Sequence, residues 1–121
     1  MNSRLYLFRA LTVGWMLLVF FLSSRPDVPA PELFRHQDKV FHLLLFGVLG
    51  LLLAFSLTPP VAATWRRVFL ITALVTAYGM TDELHQSFVP GREASVSDVL
   101  ADAFGGFLAA MFLFWWRDRN T

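Results

Sequence analysis

The sequence predicts an all-α, polytopic membrane protein with four transmembrane helices and both termini on the cytoplasmic side. Two observations carry this. The 121-residue chain is 56% hydrophobic and only 16% charged, with a mean hydropathy of +0.56, whereas soluble domains are about 25% charged. Its apolar residues also fall into segments close to the roughly 20 residues that a bilayer core demands. The net charge of +1 gives no basic excess of the kind that marks a nucleic-acid binder. The absence of cysteine excludes disulfides, thiolate metal sites and cysteine nucleophiles.

The first helix is expected over about 5–22. Arg9 interrupts it near one end, where a long side chain can snorkel. A signal peptide is the other reading of this segment. The nearby small-residue site Val28-Pro29-Ala30 is followed by Pro31, which disfavours cleavage, so an uncleaved anchor is expected. Residues 23–37 are polar and proline-rich and read as an external loop. The second helix is expected over about 40–57, before Pro59-Pro60. The third is expected over about 68–88, before Pro90, and the fourth over about 97–116. Together they make one transmembrane domain over 1–121.

Basic residues set the orientation. Arg4, Arg9, Arg66, Arg67, Arg117 and Arg119 fall on one side of such a bundle, accompanied there only by Asp118. The other side mixes Arg25, Arg35, Lys39 and Arg92 with Asp27, Glu32, Asp38 and Glu93. The first side is therefore expected to be cytoplasmic, in a bacterial inner membrane.

This topology brings polar residues from three helices to one depth. Asp38, Lys39 and His42 enter helix two from outside. Asp82, Glu83, His85 and Gln86 occupy the outer turns of helix three, and Ser95, Asp98 and Asp102 begin helix four. Asp38 and His42 share a helix face, as do Tyr78, Asp82, His85 and Gln86. Gly105 with Ala109, and Gly106 with Ala110, make small-xxx-small pairs that admit a close neighbour. The expectation is an outward-opening polar pocket walled by helices two, three and four.

Ionisable residues inside a membrane point to function. The plainer reading of Asp82-Glu83 is an ion-pair network with Lys39 or Arg92. His42 and His85 could serve as bases, hydrogen-bond donors or, with Asp38, Asp82 and Asp98, ligands for zinc or manganese. No His-Glu-x-x-His or other standard zinc spacing is present, and the sequence assigns no metal and no cofactor. Pro90-Gly91 signals a turn with positive φ at the glycine. Arg92 is either an interfacial anchor or a fork for phosphate or carboxylate. Ser95-x-x-Asp98 reads as a capping box with Asp in place of Glu. Ser95 as a nucleophile would need a base, for which His85 is conceivable.

Several of these pieces resemble the VanZ-like family of small bacterial membrane proteins. They are Leu22-Ser23-Ser24 with Pro26, Asp38-Lys39-x-x-His42, and Asp82-Glu83-x-x-Gln86-x-Phe88-x-Pro90-Gly91-Arg92-x-x-Ser95-x-x-Asp98, followed by Gly105-Gly106. The likeness covers about residues 15–112. Asp102 stands where the family usually has Asn, and Phe46 where Tyr is common. The founding member is associated with teicoplanin resistance, so the resemblance implies a cell-envelope role and a link to glycopeptide response.

The leading expectation is a pocket that binds an anionic lipid-linked or envelope molecule. Arg92 and Lys39 would contact phosphate; Asp38, His42, Tyr78, Asp82, Glu83, Gln86, Ser95, Asp98 and Asp102 would complete the site. One rival is an intramembrane hydrolase or transferase with Asp82, Glu83, His42 or His85 as catalytic candidates. Another is a structural subunit of a membrane complex. A proton path is disfavoured, because residues 68–78 offer only Thr72 and Thr76 before Tyr78. Homo-oligomerisation is compatible with the sequence, though no segment specifies it.

Overall fold

The computed structural model describes residues 2–25, 33–57 and 64–119. These contain four α-helices: α1 (Ser3–Ser24), α2 (Gln37–Ser56), α3 (Trp65–Gln86) and α4 (Val96–Arg119), with no strand among the described residues. Pro59-Pro60, expected to end helix two, lie outside the described residues, as do Pro26 and most of the first loop, including Val28-Pro29-Ala30. Asn2 caps α1 by accepting from the Leu5 N–H, and Thr64 caps α3 by accepting from the Arg67 N–H. Such caps satisfy amides that have no partner inside the helix. After α3 the chain turns through Val89-Pro90-Gly91-Arg92. The Arg92 N–H donates to Val89 O at 3.2 Å and Gly91 has φ 80°, the conformation a type II turn places at its third residue.

The helices alternate in direction. At one end Arg9 Nε–H donates to Ser56 O at 3.2 Å, and an Arg67 Nη2–H donates to Ala54 O at 2.7 Å. Both cations therefore sit on the terminal carbonyls of α2, where the helix dipole is negative. Arg9, expected to snorkel, is a tertiary cap. Thr12 and Ser56 hydroxyls meet at 2.7 Å beside it, and Trp65 packs on Phe114 with the rings tilted by 32°. The start of α1, the ends of α2 and α4 and the start of α3 thus share one end of the bundle.

α4 packs on α2 and α3, and α1 packs on the other side of the same pair. The α2–α4 seam is built from small residues. A Cβ added to Gly50 would lie 3.0 Å from Ala109 Cβ and 3.2 Å from Gly106 Cα, and on the α3 side of α4 one added to Gly106 would lie 2.7 Å from Val75 Cβ. The core is otherwise aliphatic and aromatic, with Val19, Phe46, Leu49, Ile71, Val75 and Ala110 buried. Trp15 Nε1–H donates to Leu45 O at 2.9 Å and the Tyr78 hydroxyl to Met16 O at 2.5 Å, tying α1 to both partners.

The outward faces carry Leu17, Phe20, Phe41, Leu44, Phe69, Leu74, Leu108 and Phe112, all exposed. So much exposed apolar surface fits a lipid surround. α1, α2 and α4 are each long and apolar enough to cross a membrane. α3 has the length, but Arg66, Arg67, Asp82, Glu83 and His85 dilute its apolar character, and it falls outside that group.

Candidate functional site

The end of the bundle opposite Arg9 and Arg67 holds the polar residues. Helical spacing of 3.6 residues per turn separates Asp82 from Glu83 by about 100°, and the two carboxylates take different partners. Asp82 faces α1: it accepts from the Ser23 hydroxyl and, at 3.3 Å, from Gln86 Nε2–H. Glu83 faces the start of α4, where its Oε2 accepts the Ser95 N–H at 2.9 Å. A carboxylate from α3 thereby caps α4 at the positive end of its dipole.

α2 and α4 meet through two pairs. Lys39 bonds both Asp38 and Asp98. His42 Nδ1 lies 2.8 Å from Asp102 Oδ1, with its Nε2 3.8 Å from Asp98 Oδ2. Asp102 is wholly buried against Gly79, where an added Cβ would come within 2.7 Å of its Oδ2. Glycine at 79 gives this carboxylate its room.

One atom from each of His42, Asp82, Glu83 and Asp102 can be chosen so that all lie within 4.8 Å of one another. The three acids are 6%, 5% and 0% exposed. Glu83 Oε1 and Asp102 Oδ2 are buried without a hydrogen-bond partner. Above the cluster, a cleft of about 470 Å³ is lined by Asp38, His42, Gln86, Gly91, Arg92, Glu93 and Asp98.

The structure therefore sorts the residues that the sequence singled out. Asp38, His42, Gln86, Arg92 and Asp98 line the cleft, and Asp82, Glu83 and Asp102 join His42 beneath it. Lys39 takes Asp38 and Asp98, so among the described residues Asp82 and Glu83 have no Lys or Arg ion pair. Tyr78 turns its hydroxyl to the α1 backbone. His85 stands apart: its Nε2 lies 2.8 Å from Ser24 Oγ and its ring packs on Phe20, so its hydrogen-bond partner is Ser24 rather than Ser95. No capping box forms at Ser95. Its N–H goes to Glu83, its hydroxyl meets Ser97 Oγ at 2.6 Å, and Asp98 is drawn to Lys39 instead.

Ser23 is the residue that the candidate set lacked. It belongs to the last turn of α1 rather than to a loop, and it joins Asp82 and Gln86 in one network. Its signal was its place in the Leu22-Ser23-Ser24 run.

Fold and site together define a small helical protein with membrane-type helices and a buried histidine–carboxylate cluster at one end. A family model described as VanZ/LLP1 matches residues 5–117. The chain belongs to that family. No curated protein and no solved structure matches it.

Proposed function

We propose that the protein is a four-span protein of the bacterial cytoplasmic membrane whose polar cleft binds an anionic lipid-linked or cell-envelope molecule. α3 is the fourth span, its acids screened from lipid by the helices around it. The end bearing Arg4, Arg9, Arg66, Arg67, Arg117 and Arg119 faces the cytoplasm, following the positive-inside bias. The cleft then opens to the outer side.

The observation that carries the ligand class is Arg92. Among the described residues its guanidinium has no carboxylate within ion-pair distance, although Asp38, Glu93 and Asp98 line the same cleft. A half-buried fork of donors without an acid partner suits a phosphate or carboxylate. Lys39, committed to Asp38 and Asp98, is not a second anion contact. The acids of the cleft suit hydroxyl or amine groups of the same molecule. An envelope precursor in this cleft would also link the protein to glycopeptide response.

The test is the lipid retained by gently extracted protein, read by native mass spectrometry. Loss of one charge-assisted contact, about 1.5–3 kcal/mol, means that Arg92→Ala binds the anionic ligand roughly 10- to 150-fold more weakly. Equal retention by wild type and Arg92→Ala sinks the reading. The His42–Asp102 pair favours a second reading, an intramembrane hydrolase or transferase in which His42 is the base and Asp102 its orienting partner. Turnover of a lipid-linked substrate by pure protein, abolished in His42→Gln, is its test.

A further inference from the structure

Three buried carboxylates converge on one point with a single histidine among them. Among the described residues, Lys39 is the lysine or arginine bonded to acids at this end of the bundle, and it bonds Asp38 and Asp98 instead. Uncompensated buried charge is strongly unfavourable. Two of the carboxylates also keep one buried oxygen each without a partner, Glu83 Oε1 and Asp102 Oδ2. Buried polar atoms in folded proteins are rarely left so. Among the described residues the cluster thus has no lysine or arginine to balance its acids, and it lacks partners for particular lone pairs.

We infer that His42, Asp82, Glu83 and Asp102 form a binding site for one divalent first-row transition ion, manganese or zinc. The assignment goes beyond the anion reading of the cleft and stands or falls without it.

The dimensions suit an ion. At a metal–ligand distance of about 2.1 Å, neighbouring ligand atoms are about 3.0 Å apart and opposite ones about 4.2 Å. One pair here, His42 Nδ1 and Asp102 Oδ1, is separated by 2.8 Å, and one ligand atom from each of the four residues can be chosen so that all lie within 4.8 Å. Small rotations of side chains would close it around a cation. The set is one imidazole and three carboxylates. Imidazole suits zinc and other transition ions, carboxylate suits manganese, and a mixed set disfavours magnesium and calcium, which prefer oxygen alone.

The surroundings are those of a metal site. Orienting hydrogen bonds reach two of the ligands, Asp82 and Glu83, from residues outside the set. Ser23 and Gln86 hold Asp82, and the Ser95 N–H holds one oxygen of Glu83. With Nδ1 on the ion, His42 would turn Nε2–H toward Asp98, now 3.8 Å away. Carboxylates behind ligating histidines orient the ring in this way. An entry route exists as well: the cleft is lined by Asp38, Glu93 and Asp98, which attract cations, and it reaches down to His42 and Gln86.

The experiment uses the full chain in mild detergent, stripped with chelator and titrated separately with Mn²⁺ and Zn²⁺. The expected result is one ion per chain by elemental analysis and a rise in melting temperature. In the Mn²⁺ form, pulsed electron paramagnetic resonance should detect one coordinated ¹⁴N, which His42→Ala removes. Asp102→Asn and Glu83→Gln should each weaken binding at least tenfold while circular dichroism reports an intact helical fold. Neither ion bound by the folded wild type at millimolar concentration overturns the assignment. So does an ion whose affinity and nitrogen coupling survive His42→Ala and Asp102→Asn. If a variant fails to fold, the wild-type stoichiometry and nitrogen coupling decide alone. Because the readout is metal rather than lipid, the outcome is independent of Arg92→Ala.

Discussion

Replacing Gly105 with alanine should weaken the bundle by about 2 kcal/mol, although the same exchange favours an isolated helix. The new Cβ would collide with Leu43 O and would lie 3.0 Å from Gly47 N and 3.1 Å from Leu43 C. Carbon contacts are comfortable at about 3.5–4.0 Å. All three neighbours are backbone atoms of α2, which cannot rotate aside, so α4 must withdraw by about 1 Å. A radial gap of that size forfeits up to about half of the dispersion energy along the seam. Overpacking of this kind costs about 1–3 kcal/mol, here near the upper end because backbone meets backbone. Alanine returns about 1 kcal/mol through helix propensity, leaving the net loss of about 2 kcal/mol. Gly14 is the internal control. It lies in α1 with nothing within 4 Å of an added Cβ, so Gly14→Ala should gain roughly 0.5–1 kcal/mol. The assay is unfolding in mixed micelles, followed by tryptophan fluorescence as the denaturing detergent fraction rises. Equal midpoints for Gly14→Ala and Gly105→Ala would refute the close α2–α4 approach.

Two further expectations concern the polar end. Lys39→Met leaves Asp98, which is 6% exposed, without its cation and should cost about 1–3 kcal/mol, the penalty of a buried acceptor left unpaired. Lys39→Met with Asp98→Asn should recover most of that loss, and additive single effects in this double-mutant cycle would show that the pair does not interact. Ser23→Ala removes the hydroxyl donor of Asp82 and should cost about 1–3 kcal/mol in the same unfolding assay. A midpoint within error of wild type would mean that Ser23 and Asp82 are not partners.

Helical content and family were legible because hydropathy and a long motif both extend over most of the chain. The run from Asp82 to Asp98 marked the polar end for the same reason. What remained hidden is which acid meets which base. Spacing of three and four residues places side chains on a common face, but a face about 100° wide touches two neighbouring helices. Tyr78, Asp82, His85 and Gln86 share such a face: all four hydrogen-bond to α1, at Met16, Ser23 or Ser24, while a carboxylate oxygen of Asp82 also comes within 4.8 Å of His42 on α2 and Asp102 on α4. Lys39 had eight acids on its side of the expected bundle, and only the tertiary arrangement assigns it to Asp38 and Asp98. Ser23 was obscured by a polar, proline-rich continuation that drew the helix boundary two residues too early. Arg9 was read as an interruption because the end of α2, which it caps, is far away in sequence.

The glycines and the acids follow one register, and that register explains how such a cluster can exist. Gly79 precedes Asp82 by one turn on α3, Gly105 follows Asp102 by one turn on α4, and Gly47 lies little more than a turn beyond His42 on α2. Each helix therefore carries a small residue one layer below its charged one. The small layer lets the α2 and α4 backbones touch, and Gly79 lets the Asp102 carboxylate lie flat on α3. Only with backbones that close can short side chains such as Asp and His meet across helices; long lysines would reach across a wider gap. A bundle that needed acids merely for cohesion would gain more from pairing each with a base. Here the close approach instead gathers three acids around one imidazole, with oxygens of Glu83 and Asp102 left unpartnered. Packing that brings like charges together at the floor of a cleft is difficult to account for by stability alone. It becomes intelligible if the stabilising charge arrives from solution.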